Sequence, residues 1–335
     1  MGKNKIPETG IYDARQLGTG RMLLLGFQHM FAMFGATILV PILTGLDVSN
    51  TLLFAGLGTL LFHLITGGKV PAFLGSSFAF LGGYATIAPM LGEQQNQPNL
   101  EMLPYACFGV ACAGLVYVIL AALFKAFGAK KVMRFFPPIV TGPIIIAIGL
   151  NLSSSAINNC TGNWWIAIAA ILIIVAANIW GKGMIKIIPI LLGVIGSYAL
   201  AVIFDANTRA ALVANVSEAK WFALPIKMEQ TVFGLFASGN ADAHKLLTAV
   251  ITIVPLSLAT MVEHIGDVSA ISSTCNRNYI EDPGLHRTLM GDGLATTLAA
   301  LFGAPANTTY GENTGVLALS RIYDPRVIRI AAVLA

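Results

Sequence analysis

Ionisable side chains are scarce in this sequence, and several stand inside long apolar runs. "MVEHIGDVSA" brings Glu263, His264 and Asp267 close together. "YGENTGVLALSR" sets Glu312 and Asn313 between small uncharged residues and an apolar helix-like segment. "FQHMFAMFGATILVP" carries Gln28 and His29, while His63 and Asp292 lie in two further apolar stretches. A charge at the centre of a membrane span costs about 2.5–3.5 kcal/mol on insertion scales, so each needs a partner or a task. On a helix Glu263 and Asp267, four residues apart, share one face, and His264 with Asp267 is an i, i+3 pair. A carboxylate only accepts hydrogen bonds, whereas a carboxylic acid also donates. Acids placed this way can therefore grip a polar solute and bind or release a proton. For His264 and His63 the plainer alternative is a polar seam where helices pack. His264 and Asp267 supply two metal ligands without a third nearby, so no metal site is expected.

The rest of the chain specifies the solvent around these groups. Of 335 residues, 56% are hydrophobic and 11% charged, against about 25% charged in a soluble domain. Apolar runs approach the roughly 20 residues that cross a bilayer core. Spans are expected near 22–43, 51–66, 70–91, 104–127, 135–152, 164–180, 186–204, 245–270, 286–303 and 308–322. No cleavable leader precedes the first, which lacks a small-residue cleavage site. Lys3, Lys5, Arg15 and Arg21 precede the first span. Lys69 lies in the second loop, Lys125, Lys130, Lys131 and Arg134 in the fourth, and Lys182 and Lys186 in the sixth. The first, third and fifth loops have neither Lys nor Arg. Such alternation puts the N-terminus in the cytoplasm. The seventh loop, 206–244, falls outside by parity.

The formal net charge of +4 is sorted into loops and implies no nucleic-acid partner. Cys107, Cys112, Cys160 and Cys275 lack CxxC spacing, which argues against a disulfide framework or a zinc site. A membrane enzyme would need a nucleophile with its base, or a metal cluster, and neither spacing is present; no cofactor is expected. After "YDPR" the chain enters another apolar stretch and stops, which reads as a truncation near the start of an eleventh span.

The third and tenth spans are unlike the others. "KVPAFLGSSFAFLGGYA" and "GAPANTTYGENTGVLAL" each begin with Pro-Ala, pass through a β-prone stretch ending in an aromatic, Phe78 or Tyr310, and continue as a half-length helix. Interrupted spans in matching positions of two halves point to a transporter's midplane site. Residues 72–78 and 306–310 are expected to pair as a two-stranded ribbon, because unpaired backbone does not survive in lipid. Each strand would feed a half-helix whose first N–H groups point inward with the positive end of its dipole. Glu312 would lie in the first turn of one of them.

These residues carry a resemblance. "YGENTGVLALSR" is similar to the signature of the nucleobase–ascorbate transporter family, the nucleobase:cation symporters, at Glu312, Asn313, Gly315, Ser320 and Arg321. Gln28-His29 resembles the family's first-span motif, Gly75–Phe80 its third-span motif, and "EHIGD" its acidic eighth-span segment. "DPGLHR" at 282–287 and "NTTYGEN" at 307–313 look most like the bacterial uracil permease branch.

The resemblance implies an all-α polytopic fold of inverted seven-span repeats, fourteen spans in the complete family fold, with two short antiparallel strands in discontinuous spans 3 and 10. Residues 1–21 would be a cytoplasmic arm, 22–127 core spans 1–4 and 128–205 gate spans 5–7. Residues 206–244 would form an extracytoplasmic loop, and 245–335 core spans 8–10 with the start of span 11. It further implies proton-coupled uracil import across the cytoplasmic membrane by a homodimer joined through its gates. Glu263 and Glu312 would hydrogen-bond the base, the N–H groups of Phe78 and Gly311 would hold its carbonyls, and Ala36 and Tyr310 would line the site. Glu263 would carry the coupled proton, tuned by His29 and Asp267. Where the uracil pattern often has His, this chain has Asp267, an acid that resembles the purine branch. A xanthine or purine symporter is thus the alternative, and an anion transporter of the same architecture a further one.

Overall fold

The computed structural model describes residues 10–92, 97–132, 143, 146, 150, 153, 156–158, 160–182, 185, 189–218, 224–237, 239 and 241–335. They fall into two compact units, 1–146 with 225–335, and 147–224. In the larger unit α1 runs Thr19–Thr44 and stops where Gly45 turns left-handed, φ 80°. The next helix, α2 (Val48–Ile65), starts at Asp47, whose side chain accepts from the Asn50 amide at 3.0 Å. Strand β1 (Leu74–Ser76) leads through one tight turn, Phe78–Phe80, into the short helix α3 (Leu81–Ile87). A long apolar helix, α4 (Leu103–Phe127), follows.

In the smaller unit α5 (Trp164–Trp180) packs on α6 (Pro189–Phe204), where Gly193 and Gly196 leave room for Ile174 and Ile173. The span expected at 135–152 lies largely outside the described residues. The expected loop 206–244 opens instead with a helix, α7 (Ala206–Glu218), bent by 108° from α6. The cause is local. Asp205 accepts from the Asn207 amide at 3.0 Å, and the Arg209 guanidinium donates to the carbonyls of Val202 and Ile203 at 3.0 and 2.7 Å. One acid starts a helix and one cation closes its predecessor.

The larger unit resumes with α8 (Ala243–Ile253), capped by Asp242, and α9 (Ser257–Thr274), joined through a tight turn at Pro255. Then come α10 (Leu285–Leu301), β2 (Asn307–Thr309), α11 (Gly311–Ser320) and α12 (Pro325–Leu334). Among the described residues four helical stretches are long and apolar enough to cross a bilayer: Thr19–Thr44, Val48–Ile65, Leu103–Phe127 and Ala243–Thr274.

The strands pair antiparallel, Leu74 with Thr309, Gly75 with Thr308 and Ser76 with Asn307, and every strand residue is buried. Bonds from the Ser77 amide to the Ala306 carbonyl (2.8 Å) and from the Tyr310 amide to the Phe73 carbonyl (3.2 Å) lengthen the ladder. Neighbouring helices supply the rest. The Leu74 amide donates to Thr59 Oγ1 at 2.9 Å, Thr296 Oγ1 donates to the Asn307 carbonyl at 2.6 Å, and Asn307 Nδ2 donates to the Phe54 carbonyl at 2.9 Å. Thr59 of α2 serves β1 as Thr296 of α10 serves β2, so the two strand-to-half-helix segments are built alike and run in opposite directions.

Close helix crossings make this possible. A Cβ on Gly293 would stand 2.6 Å from the Gly114 carbonyl oxygen, so α10 and α4 meet backbone to backbone. Small residues are how helices approach without a hydrophobic driving force between them.

The segment before α1 is fastened down. Ile11 exchanges backbone bonds with Arg321 and Tyr323, both at 2.8 Å, and the Ala14 amide donates to Asp324 Oδ2 at 2.7 Å. Tyr12 donates to the Cys275 carbonyl at 2.7 Å beneath the Arg277 guanidinium. Asp13 faces Arg15 and Arg326, and the hydrogen bond from Arg15 holds its carboxyl down to about 2. Its charge therefore persists at every physiological pH. Asp324 also caps α12 through the Arg326 amide. Asp324→Ala should remove both ties and cost about 1–2 kcal/mol, read as a lower melting temperature of the solubilised protein. An unchanged melting temperature would show that the arm is not fastened there.

Candidate functional site

The ribbon delivers the N-terminus of α11 to the acid-bearing face of α9. Glu312 lies in the first turn of α11 and is exposed, as is Gly311 at its start. A Cβ on Gly311 would stand 4.0 Å from Asp267 Oδ1, so that carboxylate sits against the first residue of the half-helix. Unpaired amides and the positive end of the helix dipole favour an anion or a hydrogen-bond acceptor there. Glu263 and Asp267 are both half-buried on α9. Glu263 lies one turn before Asp267 on α9, the helix that packs against α11. Glu263 and Glu312 thus stand on two helices that pack against one another.

Tyr310 is locked to the opposite strand. Its hydroxyl donates to the Ser76 carbonyl at 2.8 Å and accepts from Thr37 Oγ1 at 3.2 Å. Its ring lies over Gly75, where a Cβ would come within 2.5 Å of Cε2. Only glycine leaves that space. Phe78, half-buried, opens the turn that leads into α3. α3 and α11 each keep a face of small residues open: Gly82 and Ala85 on one, Gly311, Gly315 and Ala318 on the other. The side chain of Ala36 lies outside the described residues, although its backbone belongs to α1.

Gln28 and His29 are buried on α1. The hydrogen bonds of His29 run to the signature Asn313, whose Nδ2 is 3.3 Å from Nδ1 and donates to the His29 carbonyl at 3.4 Å. His29 therefore ties α1 to α11 and makes no hydrogen bond to the acids. Arg321 ends α11 in the left-handed conformation, φ 53°. A Cβ on Gly315 would meet nothing, so that glycine answers to no packing demand among the described residues.

Two features escaped the residue pattern. His264, readable as seam material, lies with Nδ1 2.9 Å from Asp292 Oδ2, both side chains fully buried. Thr309 donates to Asp267 Oδ2 at 2.9 Å and is 3.5 Å from His264 Nδ1. Nothing in the spacing of residues 264, 292 and 309 signals this meeting. The adjacency of β2 to α9 and α10 creates it.

Broken spans joined by a buried ribbon, with acids gathered at a half-helix N-terminus, are the construction of a secondary transporter. The profile of the permease family matches residues 20–335, and the chain belongs to that family, the nucleobase–ascorbate transporters; it is a multi-pass membrane transporter and not an enzyme. A uracil permease of Bacillus caldolyticus is 40% identical over 328 residues, spanning 94% of this chain and 70% of the relative. One from Bacillus subtilis is 39% identical over 324 residues, 92% of this chain and 69% of that protein. A probable uracil permease of Haemophilus influenzae is 37% identical over 341 residues, 99% of this chain and 75% of its own length. Among solved structures, the transmembrane domain of a cyanobacterium bicarbonate transporter, BicA, superposes with TM-score 0.65 at 15% identity, over 97% of this chain and 82% of that one. At that identity the likeness speaks for the fold alone.

Tyr310→Phe should strand the Ser76 carbonyl and cost about 1 kcal/mol, lowering the melting temperature while Phe keeps the ring's packing. A variant as stable as the parent would show that the hydroxyl does not hold the ribbon.

Proposed function

We propose that the protein is a proton-coupled symporter that imports uracil across the cytoplasmic membrane, with its N-terminus on the cytoplasmic side. The observation that carries this reading is the approach of α9, which bears Glu263 and Asp267, to the start of α11, where Glu312 lies. The relatives named uracil permeases support uracil as the substrate.

Uracil is flat, neutral and edged with alternating N–H donors and carbonyl acceptors. A protonated carboxyl donates to a carbonyl and accepts from the neighbouring N–H, whereas a carboxylate meets only the N–H. The proton and the base therefore favour one another's binding, and this linkage drives symport. Glu263, flanked by Asp267, is the carrier. Glu312 fixes the base's orientation, and His29 acts on it by holding Asn313. The amides of Phe78 and Gly311 answer the carbonyls, with the Tyr310 ring and Ala36 along the walls. Residues 22–127 and 245–335 form the base-carrying core, 128–205 contribute to a gate through which two copies associate, and 206–244 connect them outside.

Asp267 favours one second reading, a xanthine or other purine substrate, since a further acid answers a further N–H. An anion substrate is disfavoured by four neighbouring carboxyls, whatever the fold shared with a bicarbonate transporter.

In proteoliposomes, Glu263→Gln should abolish accumulation of labelled uracil driven by an inward proton gradient. Full proton-driven accumulation by that variant would refute the carrier assignment. In competition assays N-methylated uracils should bind at least about tenfold more weakly than uracil, because each leaves a buried group unpaired. Equal competition would remove the edge-reading geometry, and stronger competition by xanthine would select the purine reading.

A further inference from the structure

The transport cycle above leaves one charged feature unused, at the end of the larger unit where α2 stops. α2 packs against both α10 and α12. A Cβ on Gly56 would stand 2.4 Å from the Ala332 carbonyl oxygen of α12, and one on Gly58 3.2 Å from the Ala295 Cβ of α10. Residues two apart on a helix point about 200° apart, so the two neighbours hold opposite flanks of α2. The face between them carries Leu57, Leu60, Leu61 and Leu64, of which Leu57 is 41% and Leu64 78% exposed. In a membrane-spanning chain such a ridge of leucines has lipid tails, equally apolar, as its neighbours.

The ridge ends at two charges. Gly67 and Gly68, both left-handed (φ 66° and 65°), turn the chain after α2. A Cβ on Gly67 would lie 4.0 Å from an Nη of Arg287, in the first turn of α10, and one on Gly68 3.8 Å from an Nη of Arg329, on α12. Two guanidiniums therefore reach one turn from the two flanking helices, and glycine puts no side chain in their way. Lys69, next in the chain, is taken by Asp282. Among the described residues Arg287 and Arg329 have neither an ion pair nor a hydrogen bond. A guanidinium is weakly hydrated and binds phosphate through two parallel N–H···O bonds. Basic pockets between spanning helices at the membrane surface are where anionic headgroups settle. We propose that Arg287 and Arg329 form a site for an anionic phospholipid, its phosphate held by the guanidiniums and its acyl chains laid along the leucine ridge of α2. Under the orientation proposed above, the lipid belongs to the cytoplasmic leaflet. The site rests on the chain spanning a membrane and is independent of the base it carries.

The test is the melting temperature of the full protein in nanodiscs of phosphatidylcholine, with and without phosphatidylglycerol. The anionic lipid should raise the parent's melting temperature by about 2–4 °C, as a ligand of the folded state does. Arg287→Gln and Arg329→Gln should each lose about half of that rise or more, and the double variant nearly all of it. Each rise is taken against the same variant in neutral discs, so a loss of intrinsic stability does not imitate the effect. Lys182→Gln, which removes an exposed cation of the smaller unit, should keep the full rise. No rise in the parent, a full rise in the double variant, or an equal loss in Lys182→Gln would overturn the site. Inorganic phosphate or glycerol phosphate, added to the parent in neutral discs, should give no rise. A rise as large as the lipid's would assign the arginines to a free anion and overturn the lipid proposal. The readout needs no uracil, so a protein that transports another base leaves the outcome unchanged.

Discussion

Everything at the centre of this molecule follows from one constraint: extended backbone inside a bilayer has no water to bond, so it must find partners in protein. Leu74–Ser76 and Asn307–Thr309 find one another, antiparallel and fully buried. Threonines on α2 and α10 and the amide of Asn307 complete the ladder. Once that ribbon exists, two half-helices must leave it in opposite directions. Asp267 is set against the first residue of one of them.

The same constraint explains the residue economy around the ribbon. Gly75 is where the Tyr310 ring must lie, and Gly114 and Gly293 are where α4 and α10 must touch. Asn313 holds α1 through His29, and the arm before α1 grips the segment that leaves α11. The acid-bearing half-helix is thus anchored at both ends. A fold shared at 15% identity with a bicarbonate transporter's transmembrane domain leaves chemistry to the side chains, and here those are carboxyls, which accept hydrogen bonds when ionised and also donate when protonated.

Much of this was legible in the amino-acid sequence, for definable reasons. A Pro-Ala start, a β-prone run and a shortened helix announce a broken span, so the ribbon and the position of Glu312 could be read directly. Helical spacing put Glu263 and Asp267 on one face. Contacts made by tertiary adjacency could not be read that way. His264 and Asp292 belong to different helices, and Thr309 meets them only because β2 is threaded between α9 and α10. The bend at Asp205 was hidden for another reason. A capping acid and a carbonyl-binding arginine four residues on look like ordinary polar loop residues until the helices on both sides are known. The polar arm before α1 gave no sign that it would be tied to Arg321–Asp324, because backbone bonding leaves little trace in side-chain type.

The most direct measurement is a cryo-EM structure of the full protein with uracil bound. The ring should lie between Phe78 and Tyr310 at the start of α11, its N–H and carbonyl edge turned to Glu263 and Glu312. Uracil seated elsewhere in the protein, or at this place with its edge turned from both glutamates, would contradict the account.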